Sequence, residues 1–311
     1  MTLQEAVHQG TNLLAQAGVG VPRLTAEVLL SSAIGCRREW LYSHATDELK
    51  ELWWIHYGRY LHERLQGKPT QYITKVQDFY GRPFRVSPAV LIPRPETEHL
   101  VEEALKRIPH PQTPYHTLQS EAHPPEPRPN GAGEGPARRR HPFPSVQIID
   151  VGTGSGAIAI TLALETESHV YATDLSADAL IVARENAAKL NAHVSFLRGD
   201  LLAGIPPNSM DIVVSNPPYI PLVEKDTLAT EVRDYEPHLA LFGGQDGLEI
   251  YRRLIAESAE VLRPSGHLLM ELAYNGAPGV KGILETGLWE SIEIIPDLAG
   301  HPRVIVARRS L

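Results

Sequence analysis

The run "IIDVGTGSGAIAITLA", Ile148 to Ala163, constrains the fold more than any other part of the chain. It reads as a buried strand, a glycine-rich turn and the start of a helix. Gly152, Gly154 and Gly156 permit a tight reversal and let a ligand approach the backbone where a side chain would collide. The first amides of the helix lack partners within it and are free to meet that ligand. One strand and one helix cannot bury their own apolar faces, so the chain must repeat the unit.

It does so from Val146 onward. The runs "VQIIDV", "HVYATD", "VSFLRG", "MDIVVSN", "GHLLMEL", "SIEIIP" and "RVIVARR" are short and β-rich. Helical stretches such as "SADALIVARENAAKLN" and "GLEIYRRLIAESAEVLRP" separate the earlier ones. This rhythm predicts an α/β fold with a mostly parallel sheet wrapped by helices. The last two runs come close together, which permits an antiparallel pair at one edge.

The preceding sequence is organised differently. Residues 1–70 read as a small helical domain. In it "LTAEVLLSSAIG" follows Pro22, suited to a first turn, and stops at Gly35, suited to a C-terminal cap. In "ELKELWWIHYGRYLHERLQG" the spacing puts Leu49, Leu52, Trp53, His56, Tyr60, Leu61 and Leu65 on one face, read as core packing, with Gly67 as the stop. Residues 71–95 read as an extended hairpin linker with its turn at Gly81-Arg82-Pro83. Residues 96–311 form the main domain, interrupted at 109–144 by a proline-rich insert expected to be disordered.

Composition narrows the function. The 311 residues carry a formal charge of −8 with a pI near 6.0, which gives no support for a nucleic-acid coat protein. Cys36 is the only cysteine, so no internal disulfide forms and a reducing compartment fits. No apolar run approaches the ~18 residues of a membrane span, and "MTLQEAVHQGTNLL" lacks a signal-peptide core. A cytoplasmic protein is expected. The histidines of the insert lack metal-ligand spacing, and no metal is expected.

The glycine loop alone also satisfies the dinucleotide pattern G-x-G-x-x-G/A through Gly152, Gly154 and Ala157. Asp174 ends the next strand, where an acidic side chain can accept from both ribose hydroxyls of a nucleoside cofactor. In "RGDLL", Asp200 and Leu201 fall where an adenine could lie, although a helix-capping Asp200 is a comparable reading. The cofactor is NAD or S-adenosylmethionine on these residues.

The fourth strand separates them. "VVSNPPYIP" ends it with Asn216, Pro217, Pro218 and Tyr219. A planar amino group on a π system is a poor nucleophile because its lone pair is delocalised. The side-chain oxygen of Asn216 and the main-chain carbonyl of Pro217 can each take one of its N–H bonds, orienting the nitrogen toward a methyl donor. The prolines hold that carbonyl and add no competing donor, and Tyr219 can pack over a flat amide or base. Hydride transfer needs none of this. The chemistry expected is methyl transfer from S-adenosylmethionine to a planar nitrogen, either the amino group of adenine or the amide of glutamine.

"FRVSPAVLIPRPETEHLVEEAL", "SNPPYIP" and "EVRDYEPHLALFGGQDGLEIYRRLI" together resemble the PrmC/HemK family of glutamine N5-methyltransferases, over almost the whole chain apart from the insert. The resemblance implies a Rossmann-like class I S-adenosylmethionine-dependent methyltransferase fold with a small N-terminal helical domain that docks the substrate. It implies that Gly152, Thr153, Gly154, Ser155, Gly156 and Asp174 bind S-adenosylmethionine. Leu201 would stand against the cofactor where some members carry an aromatic ring. Asn216 would touch cofactor and substrate, and Asn216, Pro217, Pro218 and Tyr219 would cradle the glutamine. The implied partners are class I peptide chain release factors, methylated at the glutamine of their Gly-Gly-Gln motif, by a monomer that does not bind nucleic acid directly. The alternative is an adenine-N6 methyltransferase acting on DNA or RNA, which would flip out its base and usually carry a basic recognition domain.

Two further segments bear on the site. "IPRPETE" places Pro95 at a helix start with Glu96 and Glu98 in its first turn, favourable to the helix dipole and equally able to line the cleft. The tail "LAGHPRVIVARR" is read as departing from an acidic D-x-x-G-x-x-R pattern, with His301-Pro302 before Arg303, and Arg303 is taken as structural.

Overall fold

A computed structural model of the chain describes residues 1–108, 146–285 and 287–311; the insert expected at 109–144 lies outside the described residues. The N-terminal part is helical: α1 (Leu3–Gln16), α2 (Pro22–Ile34), α3 (Arg38–Ser43), α4 (Glu51–Leu65) and α5 (Thr70–Thr74). Local chemistry sets several of these ends. Thr2 caps α1 reciprocally, its hydroxyl accepting from the Glu5 amide at 3.2 Å while the Glu5 carboxylate accepts from the Thr2 amide at 2.8 Å. Pro22 opens α2, and Gly35 closes it at φ +81°, donating to the Ser31 carbonyl at 2.9 Å.

The apolar stripe expected on α4 is partly out of phase. Tyr57 and Leu61 are its buried residues, whereas Leu52 is 63% exposed and Leu65 39%. Gly10 of α1 explains the rotation. A Cβ there would lie 2.0 Å from the Tyr57 hydroxyl oxygen, so the missing side chain is the socket for that ring. The hydroxyl in turn reaches the Ala6 carbonyl at 3.4 Å. The helix turns to seat its tyrosine, and Leu52 and Ile55 face outward as a consequence.

The hairpin consists of β1 (Val76–Phe79) and β2 (Arg82–Arg85), with Val76 opposite Arg85 and Phe79 opposite Arg82. Its turn is Tyr80-Gly81, one residue earlier than expected. Both have positive φ, +51° and +70°, as a two-residue reversal with the right twist requires. Pro83 therefore sits within β2, on an edge where its missing N–H does no harm. The Tyr80 amide donates to the Glu98 carboxylate at 2.7 Å, tying the turn to α6 (Glu98–Lys106).

Seven strands form the main sheet: β3 (Gln147–Val151), β4 (His169–Asp174), β5 (Val194–Arg198), β6 (Met210–Ser215), β7 (Leu262–Glu271), β8 (Trp289–Pro296) and β9 (Pro302–Arg309). Helices α7 (Ala157–Glu165), α8 (Ala177–Leu190), α9 (Thr230–Arg233), α10 (Glu249–Val261) and α11 (Ala277–Leu284) fall between them. The strand order is β5-β4-β3-β6-β7-β9-β8. The first five run parallel, and β9 is antiparallel to both its neighbours.

Side chains alternate across this sheet, so successive residues enter different cores. Ile148, Ile212, Val214, Leu269, Val304 and Val306 face α6, α7 and the hairpin phenylalanines Phe79 and Phe84. Ile149, Val213, Leu268, Met270 and Ile305 face α10 and α11. The central strands β3 and β6 are buried on both sides, which explains their nearly continuous apolar runs, whereas the edge strands β5 and β8 are largely exposed. Each fully buried Ile, Leu or Val contributes about 1.5–3 kcal/mol relative to exposure.

The order also creates a crevice. From β3 the chain winds outward through β4 to β5, then returns across β3 to β6, so connections leave β3 and β6 in opposite directions. Ligands of open α/β sheets bind at such a point, beyond the carboxyl ends of the strands. Val151 pairs with Ser215, so Gly152 and Asn216 emerge side by side there.

Candidate active site

A cavity of about 360 Å³ occupies that crevice. Gly152, Gly154, Asp174, Leu201, Asn216 and Pro218 line it, all of them expected from sequence to act in the site. The glycine loop is anchored from behind. The Gly152 and Thr153 amides both donate to the Thr173 carbonyl at 2.9 Å, and the Thr153 hydroxyl donates to Asp150 at 2.6 Å. Burial pushes the Asp150 carboxyl up to about 7, against its bonds from Thr153 and Ala159.

The three glycines do different work. Gly152 and Gly154 have φ of +73° and +56°, and a Cβ on either would meet no protein atom within 4 Å. Both border the cavity, and the room they leave opens into it. Gly156 also has positive φ, but its Cβ would lie 2.8 Å from Ile160 Cδ1 and 3.2 Å from Ala183 Cβ. It caps α7 and lets α8 pack closely, and it does not border the cavity. Thr153 and Ser155, buried behind the loop, do not border it either. The Ser155 carbonyl accepts from the Asn186 amide at 2.9 Å.

Asp174 accepts from the Gly154 amide and the Ser176 amide, each at 2.8 Å and on separate oxygens. A carboxylate offers about four lone-pair sites, so each oxygen keeps capacity for one ligand hydroxyl. Burial raises the pKa of the group, and these amide donors oppose the shift. Leu201, at φ +49°, borders the cavity with Ile250 as an aliphatic wall. Asp200 pairs with Arg253 at 2.9 Å and precedes a turn, so it caps no helix. Apolar walls, open glycines and an acidic group with spare acceptor sites fit S-adenosylmethionine.

Asn216 borders the cavity beside Gly152. Its Nδ2 donates to the Thr97 hydroxyl oxygen at 3.2 Å, and that hydroxyl donates to Glu271 Oε2 at 2.6 Å. Pro217 is buried, and Tyr219 packs into the core beside α10. Burial and the nearby Glu271 charge push the Tyr219 phenol up to about 12. The segment beyond is braced from beneath. The Ile220 amide donates to the Leu241 carbonyl at 2.9 Å, and the Gly243 amide to the Ile220 carbonyl at 3.0 Å. A Cβ on Gly243 would lie 2.5 Å from the Pro218 carbonyl oxygen, and one on Gly247 would lie 2.4 Å from that of Tyr219. Gly243 and Gly247 of "FGGQDGLE" thus leave room for this backbone to lie on them.

The chain matches known proteins along nearly its whole length. The model of the PrmC N-terminal domain matches residues 5–74, and that of the methyltransferase small domain matches residues 140–232. A release factor glutamine methyltransferase from Koribacter versatilis is 41% identical over 310 residues, covering 99% of each chain. One from Moorella thermoacetica is 39% identical, again over 99% of each. The chain belongs to the release factor glutamine methyltransferase family. It is a methyltransferase with a class I fold, and a solved methyltransferase from Pyrococcus furiosus superposes with a TM-score of 0.50 over 80% of this chain and 98% of that one, at 17% identity.

Several residues that shape this methyltransferase's site carried no role in the sequence reading. Thr97 and Glu271 lie in segments far from Asn216 along the chain and carry no spacing signal. Pro88 to Leu91 form one wall of the cavity, and Leu239 and Ala240 stand on another. Arg94 pairs with buried Glu236 at 2.7 Å, fastening the "IPRP" segment to the loop that carries those residues. "IPRPETE" runs extended to Arg94, makes a 3-10 turn over Pro95–Thr97 and only then becomes α6, so Glu98 rather than Pro95 opens the α-helix. Arg303 is structural, and its partner is Asp297 at 3.1 Å. Asp297, Gly300 and Arg303 match the D-x-x-G-x-x-R pattern, so the departure expected of the tail is overturned.

Proposed function

We propose that the chain transfers a methyl group from S-adenosylmethionine to the side-chain nitrogen of the glutamine in the Gly-Gly-Gln motif of class I release factors. The observation that carries this reading is Asn216 at the cavity, with its amino group engaged by Thr97 and its Oδ1 left to accept. Names given to relatives at 41% and 39% identity support the substrate. Gly152, Gly154, Asp174 and Leu201 hold the cofactor, which supplies an electrophilic methyl group when bound. Pro217 and Pro218 keep the backbone carbonyls fixed, and Tyr219 backs the segment from the core.

The chain's own part in the reaction is orientation. Asn216 Oδ1 and the Pro217 carbonyl each accept one amide N–H, fixing the plane of the glutamine amide and turning its nitrogen into the cavity. As positive charge develops on that nitrogen, the two acceptors stabilise it in place. Holding the reacting atoms in line accounts for most of the rate. The methylated amide is acidic enough to release its proton to water, so no strong base is required. A substrate that works at the ribosome places the enzyme in the cytoplasm, and no helix among the described residues is long and apolar enough to cross a membrane.

The test is transfer of labelled methyl from S-adenosylmethionine to purified release factor with its Gly-Gly-Gln glutamine intact or replaced, beside DNA and ribosomal RNA. Label on the intact factor alone is expected. Label on nucleic acid would keep the planar-nitrogen chemistry and overturn the substrate.

A further inference from the structure

Asn216 can do its work in only one of two orientations. A side-chain amide is nearly symmetric in shape, and rotating it by 180° exchanges the oxygen and the NH2 group. In one orientation the oxygen faces a substrate N–H. In the other, amino group faces amino group, donor against donor.

We propose that Thr97 and Glu271 are positioning residues that fix which way the Asn216 amide points. The inference rests on the reading above, in which the substrate offers N–H bonds to Asn216 Oδ1. An ionised carboxylate only accepts, so the Thr97 hydroxyl must give its single proton to Glu271 Oε2, 2.6 Å away. The hydroxyl oxygen then has only lone pairs to offer its other neighbour. That neighbour is the Asn216 amide at 3.2 Å, and only its NH2 side is compatible. Oδ1 is thereby turned the other way.

The relay sits where it cannot easily slip. Thr97 is 4% exposed at the end of the 3-10 turn, and Glu271 is 1% exposed at the end of β7. The Glu271 main-chain oxygen accepts from the Tyr251 hydroxyl at 2.6 Å, which fastens the strand end. The charged groups around the carboxylate are Arg303 and Arg94, which favour its ionised form, and Glu96, which opposes it. Burial is the larger influence and pushes the carboxyl up to about 7, so the relay is complete above that pH and is tested there. The cost of burying a carboxylate this deeply is otherwise unexplained by packing.

Three single variants, one double variant and one spectrum test the relay, with folding checked by thermal melting. At about pH 8.5, Thr97→Val keeps the shape but removes the hydroxyl, and kcat for release-factor methylation should fall at least ~10-fold, with a smaller change in KM. Thr97→Ser restores the hydroxyl and should return kcat to within about threefold. Asn216→Ala should lower the rate at least ~10²-fold, as loss of an oriented polar group does. Adding Thr97→Val to Asn216→Ala should then cost almost nothing more, because the threonine acts through the asparagine. A purely structural threonine would show additive losses and no such rescue, and either result would overturn the proposal. The spectrum needs no substrate. With 15N-labelled asparagine, the Asn216 side-chain amide signal should show slowed hydrogen exchange that Thr97→Val abolishes and Thr97→Ser keeps. An unchanged Asn216 signal in Thr97→Val would overturn the relay even in an active enzyme. A wild type inactive on release factor, with a Thr97-dependent Asn216 signal, would instead place the fault in the substrate reading and leave the relay standing.

Discussion

Gly152, Gly154 and Gly156 look alike in sequence, and their surroundings give them different tasks. A methyl group on Gly154 enters the cavity and touches no protein atom, whereas one on Gly156 meets Ile160 and Ala183. Gly154→Ala, at φ +56°, should lose only about 1–2 kcal/mol of stability from the left-handed backbone but weaken S-adenosylmethionine binding at least ~10-fold. Gly156→Ala adds overpacking of about 1–3 kcal/mol and should lower Tm more, with a smaller direct effect on cofactor affinity. Calorimetry of binding and of unfolding on the two variants separates the cases; matching profiles would remove the distinction. The pattern of glycines was legible because the turn is local. Which glycine bordered the cavity was not, because Ile160 and Ala183 acquire their positions only when α8 docks. Thr97 and Glu271 were invisible for the same reason, since nothing within their own segments signals a shared partner.

Among the elements, the hairpin was legible from its apolar stretches and turn glycine, but its attachment to the site was not. Asn186 of α8 makes that attachment. Fully buried, it accepts from the Arg85 amide at 2.7 Å and donates to the Arg85 carbonyl at 3.0 Å and the Ser155 carbonyl at 2.9 Å. One side chain thus holds β2 and the back of the glycine loop together. Asn186→Leu leaves those backbone groups buried without partners and should cost about 1–3 kcal/mol for each group that water cannot reach. Urea unfolding should show the loss, and cofactor affinity should fall with it because the loop loses its brace. Normal stability in this variant would mean that the clasp is replaceable. Helix α4 carries a related lesson. Periodicity located the helix, yet its phase depended on Gly10 of another helix accepting Tyr57, a fact of packing and not of local spacing.

At the scale of the whole molecule, the parallel sheet and its crevice followed from alternating apolar runs and helices, since a strand buried on both faces has little freedom in composition. The distribution of buried charge did not follow, and it governs how stability depends on pH. Asp150 and Glu271 are buried carboxyls pushed up to about 7 from 3.8 and 4.5, chiefly by burial. A group whose pKa is raised on folding binds its proton more tightly in the folded state. Its contribution is fully present below the unfolded value and is lost as pH rises through the folded one. Stability should therefore fall between about pH 4.5 and 7, by on the order of 3 kcal/mol for each group. Asp174 and Glu236 are shifted in the same direction by burial. His267, lowered by burial, works the other way as its stabilisation is lost on acidification, but it is one half-buried group. Lowered carboxyls such as Glu103 and Asp297 lose their contributions only at more acid pH, below the ordinary carboxylate range. Urea unfolding of the cofactor-free enzyme should accordingly show greater stability near pH 5.5 than near pH 8. The double variant Asp150→Asn, Glu271→Gln should flatten that slope, since neither amide titrates. A wild-type profile that rises across this window, or a slope unchanged in the double variant, would mean that these two carboxyls are ionised at little cost inside the fold. Glu271 would then hold Thr97 at every pH in the window, and the relay to Asn216 would lose its dependence on acidity while keeping its polarity.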